Sequence, residues 1–283
     1  MTPRLAVLRA AALALALAAP VHAQDVQPTK NAGPYVPSPT SVVSDMLKIA
    51  EVGPADFVID LGSGDGRIVL TAAKVFGARG FGVEIKDELV KKSNEAAAQQ
   101  GIADRVKFIK QDLFKTDVSQ ATVLTMYLLP DTVNLLKDKF LAELRPGTRV
   151  ISHDYPLTGW IPEKYVQMDL EDKVAISGVT TTLIYLYVIP AKVAGTWNAR
   201  MPPAVSTKPA TLQLKQQLTR VSGNAKVDGR ELPLHDVKLR GDQISFRISG
   251  RKGEFTGRVK GGSIEGMLDA GGKKTPWSAT LGS

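Results

Sequence analysis

Asp60-Leu61-Gly62-Ser63-Gly64-Asp65-Gly66-Arg67 joins a short apolar run, Phe57–Leu61, to a segment of helical spacing, Arg67–Phe76, that contains neither glycine nor proline. Glycines at a strand-to-helix turn let the chain fold back sharply and let a ligand approach the backbone. The spacing is G-x-G-x-G, preceded two residues earlier by an acid. Pyrophosphate-binding turns use G-x-G-x-x-G, and a carboxylate at Asp60 would repel a pyrophosphate. The loop therefore suits a ligand without phosphate, one that carries a cationic or amine group.

Outward from this loop, strands and helices alternate. Residues 24–38 form a polar, Pro-rich leader that ends in Pro34-Tyr35-Val36-Pro37-Ser38-Pro39. Thr40 or Ser41 is placed to cap a helix running to about Ala50, with Val42, Val43, Met46, Leu47 and Ile49 as its apolar stripe. Downstream, strands are predicted at 79–84, 105–110, 121–128 and 148–152, and helices at 87–100 and 132–144. Strand–helix alternation of this kind specifies a parallel sheet in a doubly wound α/β fold. Beyond Tyr165 two strand-like segments, 166–170 and 180–189, follow with no helix expected between them, which predicts an antiparallel hairpin closing the sheet edge.

After residues 191–194, a linker, helical periodicity disappears. Leu212/Leu214 and Ile244/Phe246/Ile248 alternate, and Gly223-Asn224, Gly241-Asp242 and Gly261-Gly262 offer turn chemistry. Residues 195–283 are thus expected to form an all-β meander of seven or eight short strands, closing into a small barrel. The opening Gly195-Thr196-Trp197, with Trp277-Ser278-Ala279-Thr280-Leu281 near the other end, resembles lipocalin-type barrels in which a tryptophan plugs the floor. Two roles stay open for this module, a docking surface or pocket and a structural or dimerising appendage.

Composition narrows the chemistry. The 283 residues are 43% hydrophobic and 23% charged, and they contain no cysteine and three histidines. Disulfides, thiolate metal sites, iron–sulfur clusters and cysteine nucleophiles are excluded. His22 falls in the N-terminal segment and His235 on a barrel strand, so no metal site is expected. The formal charge of +8 is unevenly placed: residues 24–194 carry 19 basic and 21 acidic side chains, residues 195–283 carry 15 and 7. Without interleaved aromatics the barrel's cations read as a solvated face, and nucleic acid is not an expected partner. Arg4 and Arg9, the apolar run from Ala10 to Ala19, Pro20 and Val21-His22-Ala23 have the form of a signal peptide cleaved after Ala23. The expectation is export to the periplasm, or a membrane tether if the segment is retained; no other membrane span is expected.

Three acids fall at the ends of consecutive parallel strands. Asp60 ends the first, Glu84 the second, where a carboxylate can accept from both hydroxyls of a ribose, and Asp112 follows the third beside Gln111, where an adenine amino group is expected. Here residues 34–190 resemble the class I S-adenosylmethionine-dependent methyltransferases, with a seven-stranded Rossmann-like core. The 34–39 leader, the glycine loop with Ile68-Val69, and Tyr127-Leu128-Leu129-Pro130 are similar in particular to the mitochondrial protein-lysine methyltransferases that act on the c-ring protein of ATP synthase and on the adenine nucleotide translocase, and to their bacterial relatives. The resemblance implies S-adenosylmethionine as cofactor, with Gly62, Ser63, Gly64, Asp65 and Gly66 around the methionine moiety beside Asp60, Glu84 on the ribose, and Asp112 near the adenine.

The resemblance also implies methyl transfer to a nitrogen, that of a protein lysine or, alternatively, a small-molecule acceptor. Tyr127 stands where many amine methyltransferases keep an Asn/Asp-Pro-Pro-aromatic motif, so it reads as an acceptor-site residue or as a core tyrosine. His153, beside Asp154, reads as a base at the crevice rim or as a loop histidine bonded to backbone. Tyr35 is expected to close the leader over the pocket. The competing reading is an exported non-catalytic protein that binds an adenosyl ligand or a partner, because the implied cofactor is made inside the cell. A nicotinamide oxidoreductase is disfavoured by the glycine spacing.

Overall fold

A computed structural model describes residues 33–282. The signal-like segment, its cleavage point, His22 and most of the leader lie outside the described residues. The first half runs α1 (Thr40–Ile49), β1 (Phe57–Leu61), α2 (Arg67–Phe76), β2 (Arg79–Glu84), α3 (Asp87–Gln99), β3 (Val106–Lys110), a 3-10 turn (Leu113–Lys115), β4 (Val123–Met126), α4 (Pro130–Leu135), α5 (Lys137–Glu143), β5 (Arg149–His153), β6 (Lys164–Asp169), α6 (Glu171–Ser177) and β7 (Thr181–Val188). The strands form one sheet in the order β3-β2-β1-β4-β5-β7-β6. β1 to β5 are parallel, and β7 is antiparallel to both β5 and β6.

Side-chain alternation along the strands feeds two faces. Ile59, Leu61, Leu124 and Met126 pack with Val133 of α4, Phe140 of α5 and Leu136 between the two helices. Val58, Val123 and Ile151 pack on the other face with Val42, Val43, Met46 and Leu47 of α1 and Ile68 and Ala72 of α2. The expected stripe of α1 is therefore its buried face. Neither Thr40 nor Ser41 caps α1; Pro39 occupies the cap position without a side-chain bond, and the hydroxyls fall inside the first turn.

Two further expectations are corrected. The single helix predicted over 132–144 is two short helices, with Pro130 at the start of the first. The hairpin at the sheet edge exists, but α6 interrupts it, its one fully buried described side chain being Lys173. Among the described side chains of α6 the buried one is a lysine and Val174 is exposed, so hydrophobic periodicity does not mark this helix.

The second half is an eight-stranded closed antiparallel barrel: β8 (Gly195–Arg200), β9 (Ala210–Gln217), β10 (Arg220–Val227), β11 (Arg230–Arg240), β12 (Gln243–Ile248), β13 (Glu254–Lys260), β14 (Ser263–Ala270) and β15 (Lys273–Leu281). Consecutive strands pair and β15 returns to β8, so no strand edge is exposed. The interior is filled. Phe246 and Phe255 stack with centroids 5.1 Å apart, Trp277 meets both edge-on, and Trp197 is fully buried with its indole N–H donating to the Val193 carbonyl at 2.8 Å.

Gly223 is not a turn residue as expected; it lies within β10, where a Cβ would stand 2.1 Å from the Gln213 carbonyl oxygen. The β9–β10 turn falls instead at Leu218, which adopts φ of 55° while its side chain packs into the core of the sheet domain. Beside it the Gln216 amide accepts from Val193 N–H at 2.7 Å and donates to the Ala191 carbonyl at 2.8 Å. The end of the barrel carrying Leu218 and Gly241 is thus the end seated on the sheet domain. Among the described residues, no helix is long and apolar enough to cross a membrane.

Candidate active site

The strand order reverses between β1 and β4, and the crevice that opens at their carboxyl ends is where open α/β sheets bind ligands. A cavity of about 300 Å³ occupies it, walled by the leader, the glycine loop, the end of β2, the turn after β3 and the end of β4. That volume lies at the lower end of the small-molecule range, roughly 300–1,000 Å³. Gly64 requires its glycine: φ is 54°, and a Cβ there would stand 2.5 Å from the Tyr35 ring. Gly62 and Gly66 share the left-handed conformation, and Gly66 forms the N-cap of α2.

Asp60, Glu84 and Asp112 all reach the cavity, as does Asp65. Asp60 is buried, and its Oδ1 accepts from the Thr125 hydroxyl at 2.6 Å. Burial pushes its pKa up to about 7 against the opposing Thr125 bond, with Glu84 and Asp65 adding like-charge repulsion. Glu84 knots the loop to β2: Oε2 accepts from Gly64 N–H at 3.1 Å, and Oε1 from Ile85 and Lys86 N–H at 2.8 and 3.0 Å. A carboxylate has about four acceptor positions, so capacity remains for a ligand hydroxyl. Asp112 caps the 3-10 turn, accepting from Phe114 N–H at 2.9 Å. Ser63 is among the residues around the cavity, but its buried hydroxyl lies against Gly82 of β2 and has no protein partner.

The leader folds over this floor. Arg67 clamps it, donating to Asp65 through Nε at 2.9 Å and a terminal nitrogen at 2.7 Å, and to the Ser38 carbonyl at 2.7 Å. Tyr35 lies across Gly64, and its phenol is raised by burial and by the nearby Asp65.

Tyr127 lines the cavity at the end of β4. Its hydroxyl donates to Asp154 Oδ2 at 3.0 Å, and its ring lies on the His153 imidazole with centroids 3.9 Å apart. His153 itself departs from expectation. It is the last residue of β5, fully buried, and it does not line the cavity. Its Nδ1 pairs with the Ser38 hydroxyl at 2.8 Å, so its partner is a side chain of the leader and not backbone. Burial lowers it to about 4, which keeps the ring neutral at pH 7.

Sequence reasoning missed Thr125, Ser38 and Lys173. The first two are a hydroxyl in an apolar strand and a serine in a loop, which carry no spacing signal. Lys173 Nζ reaches both Asp154 oxygens at 2.6 and 2.7 Å and the Thr181 carbonyl at 2.5 Å, a contact made across the sheet edge that linear pattern cannot show.

Comparison with known proteins places this geometry. The family model of the ANTKMT methyltransferase domain matches residues 60–164. The chain is 43% identical over 157 residues to a protein-lysine N-methyltransferase of Saccharolobus islandicus (strain REY15A), covering 55% of this chain and 93% of that protein. It is 33% identical over 154 residues to the adenine nucleotide translocase lysine N-methyltransferase of Mus musculus, a match that takes in 54% of this chain and 62% of the mouse protein. Among solved structures, an RNA methyltransferase from Salinibacter ruber in complex with S-adenosyl-L-homocysteine is 44% identical with a TM-score of 0.50, covering 56% of this chain and 96% of that one.

Proposed function

The chain belongs to the protein-lysine N-methyltransferase family, and from that membership and the crevice we propose that it transfers a methyl group from S-adenosylmethionine to the side-chain nitrogen of a lysine in an acceptor protein. The observation that carries the reading is the acid set around the glycine loop. Asp60 is a buried carboxyl whose neighbours are Thr125, Glu84 and Asp65, with no base among them. A buried acid in that setting is suited to an amino or sulfonium group brought by a ligand.

S-adenosylmethionine supplies an electrophilic methyl group when bound. Glu84 would hold the ribose, Asp112 and the turn after β3 the adenine, and Asp60 with the glycine loop the amino-acid end. Leader residues 34–38 exclude water from above, which strengthens every electrostatic contact within. Tyr127 stands at the acceptor side. The transfer asks for alignment of a nitrogen lone pair more than for acid–base groups, so positioning carries most of the work assigned to the protein.

Titration of the chain from Gln24 with S-adenosylmethionine, S-adenosylhomocysteine and NAD is expected to give binding for the first two only. Incubation with tritiated-methyl cofactor and either total protein or total RNA of the source cell should label protein, with methyl-lysine recovered after acid hydrolysis. Label in RNA alone would replace the acceptor class, and binding without any transfer would favour the non-catalytic alternative. We propose in addition that the protein is exported, on the strength of Arg4, Arg9 and the apolar run that precedes Val21-His22-Ala23. Cell fractionation with mass measurement of the mature N-terminus tests this; a cytoplasmic chain retaining Met1 rejects it.

A further inference from the structure

We propose that Asp154 and Lys173 are positioning residues for the acceptor side of the site: together they fix the Tyr127 hydroxyl with its proton turned onto Asp154 and its oxygen lone pairs left to the cavity. The proposal rests on the methyltransferase reading above and assigns a means of orienting the acceptor amine.

Asp154 is held rigidly. It adopts φ of 63°, a conformation few residues other than glycine enter, and it is locked there by two bonds to β7. Its N–H donates to the Leu183 carbonyl at 2.7 Å, and its Oδ1 accepts from Leu183 N–H at 3.1 Å. Lys173 then closes on both carboxylate oxygens at 2.6 and 2.7 Å. The Tyr127 hydroxyl completes the set at 3.0 Å.

Burial makes the arrangement informative. The Lys173 side chain is 2% exposed, on a short helix whose Val174 lies open to solvent. An apolar side chain at such a position is commonly neutral or stabilising relative to a buried ion pair, while loss of one partner strands the other charge. A buried cation set against the carboxylate that receives the hydroxyl of a cavity-lining tyrosine therefore calls for a role at the cavity. His153 supports the ring from behind, and Ser38 supports His153. The leader that roofs the cofactor pocket and the tyrosine at its acceptor side thus share one buried chain of contacts.

The chemistry follows from where the proton sits. Burial and the Asp154 charge raise the Tyr127 phenol, so it stays neutral. With its proton committed to Asp154, the oxygen can only accept, and an N–H of the incoming amine is the complementary donor. Tyr127 accordingly orients the nitrogen without removing its proton.

The test uses the full chain with Asp154→Asn, Lys173→Met, Lys173→Arg and Tyr127→Phe, each checked by thermal melting and by cofactor titration. Two readouts are taken. The first is the ¹³Cζ resonance of Tyr127 in protein labelled at tyrosine, assigned by its disappearance in Tyr127→Phe; it reports the phenol's hydrogen bonding without turnover. The second is steady-state transfer to poly-L-lysine, with products separated as mono-, di- and trimethyl-lysine. Asp154→Asn and Lys173→Met are expected to move the resonance and to lower kcat on the order of 10²-fold, with KM and cofactor affinity within about twofold. They should also alter the proportion of methylation states, since each added methyl removes an N–H that Tyr127 would bind. Lys173→Arg should recover most of both signals. An unmoved resonance in Asp154→Asn and Lys173→Met overturns the proposal, as does a moved resonance with kcat unchanged. Wild-type protein that binds cofactor and transfers nothing fails the methyltransferase reading instead, and the positioning claim is then decided by the resonance alone.

Discussion

The crevice at the carboxyl edge of the sheet and the interior of the barrel are both built with glycine, and they use it to different ends. In the barrel, Gly223 and Gly266 lie where a Cβ would stand 2.1 and 1.9 Å from the backbone oxygens of Gln213 and Thr256, so the missing side chain lets two strands cross closely. In the crevice, Gly64 adopts a left-handed backbone, and its missing side chain lets the Tyr35 ring of the leader close over the loop that walls the cavity. Burial differs in the same sense. The barrel's interior is dominated by Trp197, Phe246, Phe255 and Trp277, with Ser206 the one buried polar side chain among the described residues from 195 on. The sheet domain buries Asp60, Ser63, His153 and Lys173. One region is closed on its own side chains, the other keeps the buried carboxyl of Asp60 at a cavity wall, and the two should respond differently to damage.

The largest separation is expected from Phe255→Ala. It should destabilise the barrel by about 3–5 kcal/mol through loss of the stacked and edge-on contacts, while cofactor affinity stays within about twofold. Denaturant melts and calorimetric titration on one preparation would check it, and a parallel loss of affinity would break the comparison. Gly64→Val should do the reverse. Roughly 100-fold of cofactor affinity, about 2.7 kcal/mol, should disappear with a smaller shift in melting, because the new side chain enters an αL backbone and meets Tyr35.

Ionisation sharpens the contrast further. Asp60, raised to about 7 from 3.8, binds its proton more tightly folded than unfolded, so it lowers stability as pH rises through that window. His153, lowered to about 4 from 6.5, is protonated more readily when unfolded; the stability it contributes is present above pH 6.5 and is lost as pH falls toward 4. Between about pH 4 and 6.5 the two slopes oppose. Asp60→Asn should leave stability rising with pH there and His153→Gln should leave it falling, each by roughly 1 kcal/mol per pH unit. Parallel curves for both variants would refute the assignment. The smallest effect belongs to Arg240→Ala, which removes the exposed 2.6 Å pair with Glu163 between the two domains; the expected change is below about 1 kcal/mol and should vanish in high salt.

How far sequence carried the reading depends on what each element shows to a linear pattern. β1 was legible as a short apolar run, buried on both faces of the sheet, and α2 by its helical spacing, with the glycine loop between them. The acids at the ends of β1, β2 and beyond β3 were legible for the same reason, since strand ends in such a sheet converge. α6 was not, because its buried described residue is a lysine whose partner lies in another strand connection. Gly223-Asn224 looked like a turn because the dipeptide favours one, yet strand crossing claimed the glycine. The turn that does occur uses Leu218 in a strained conformation, held there by a contact with the other domain. His153 shows the limit most plainly: adjacency to Asp154 suggested a base, and only burial reveals a neutral support for Tyr127.

Closure of the barrel by β15 upon β8, with Ala279 opposite Ala199, sets an order on its formation. Each earlier hairpin joins neighbours in the chain and can zip locally, but the seam must wait for the strand made last, after a long loop entropy has been overcome. Until then the outer edges of the β8–β9 and β14–β15 pairs are unpaired, open to pairing with another copy. Refolding should show a slow, concentration-sensitive phase that belongs to the seam and is separate from formation of the crevice in the sheet domain.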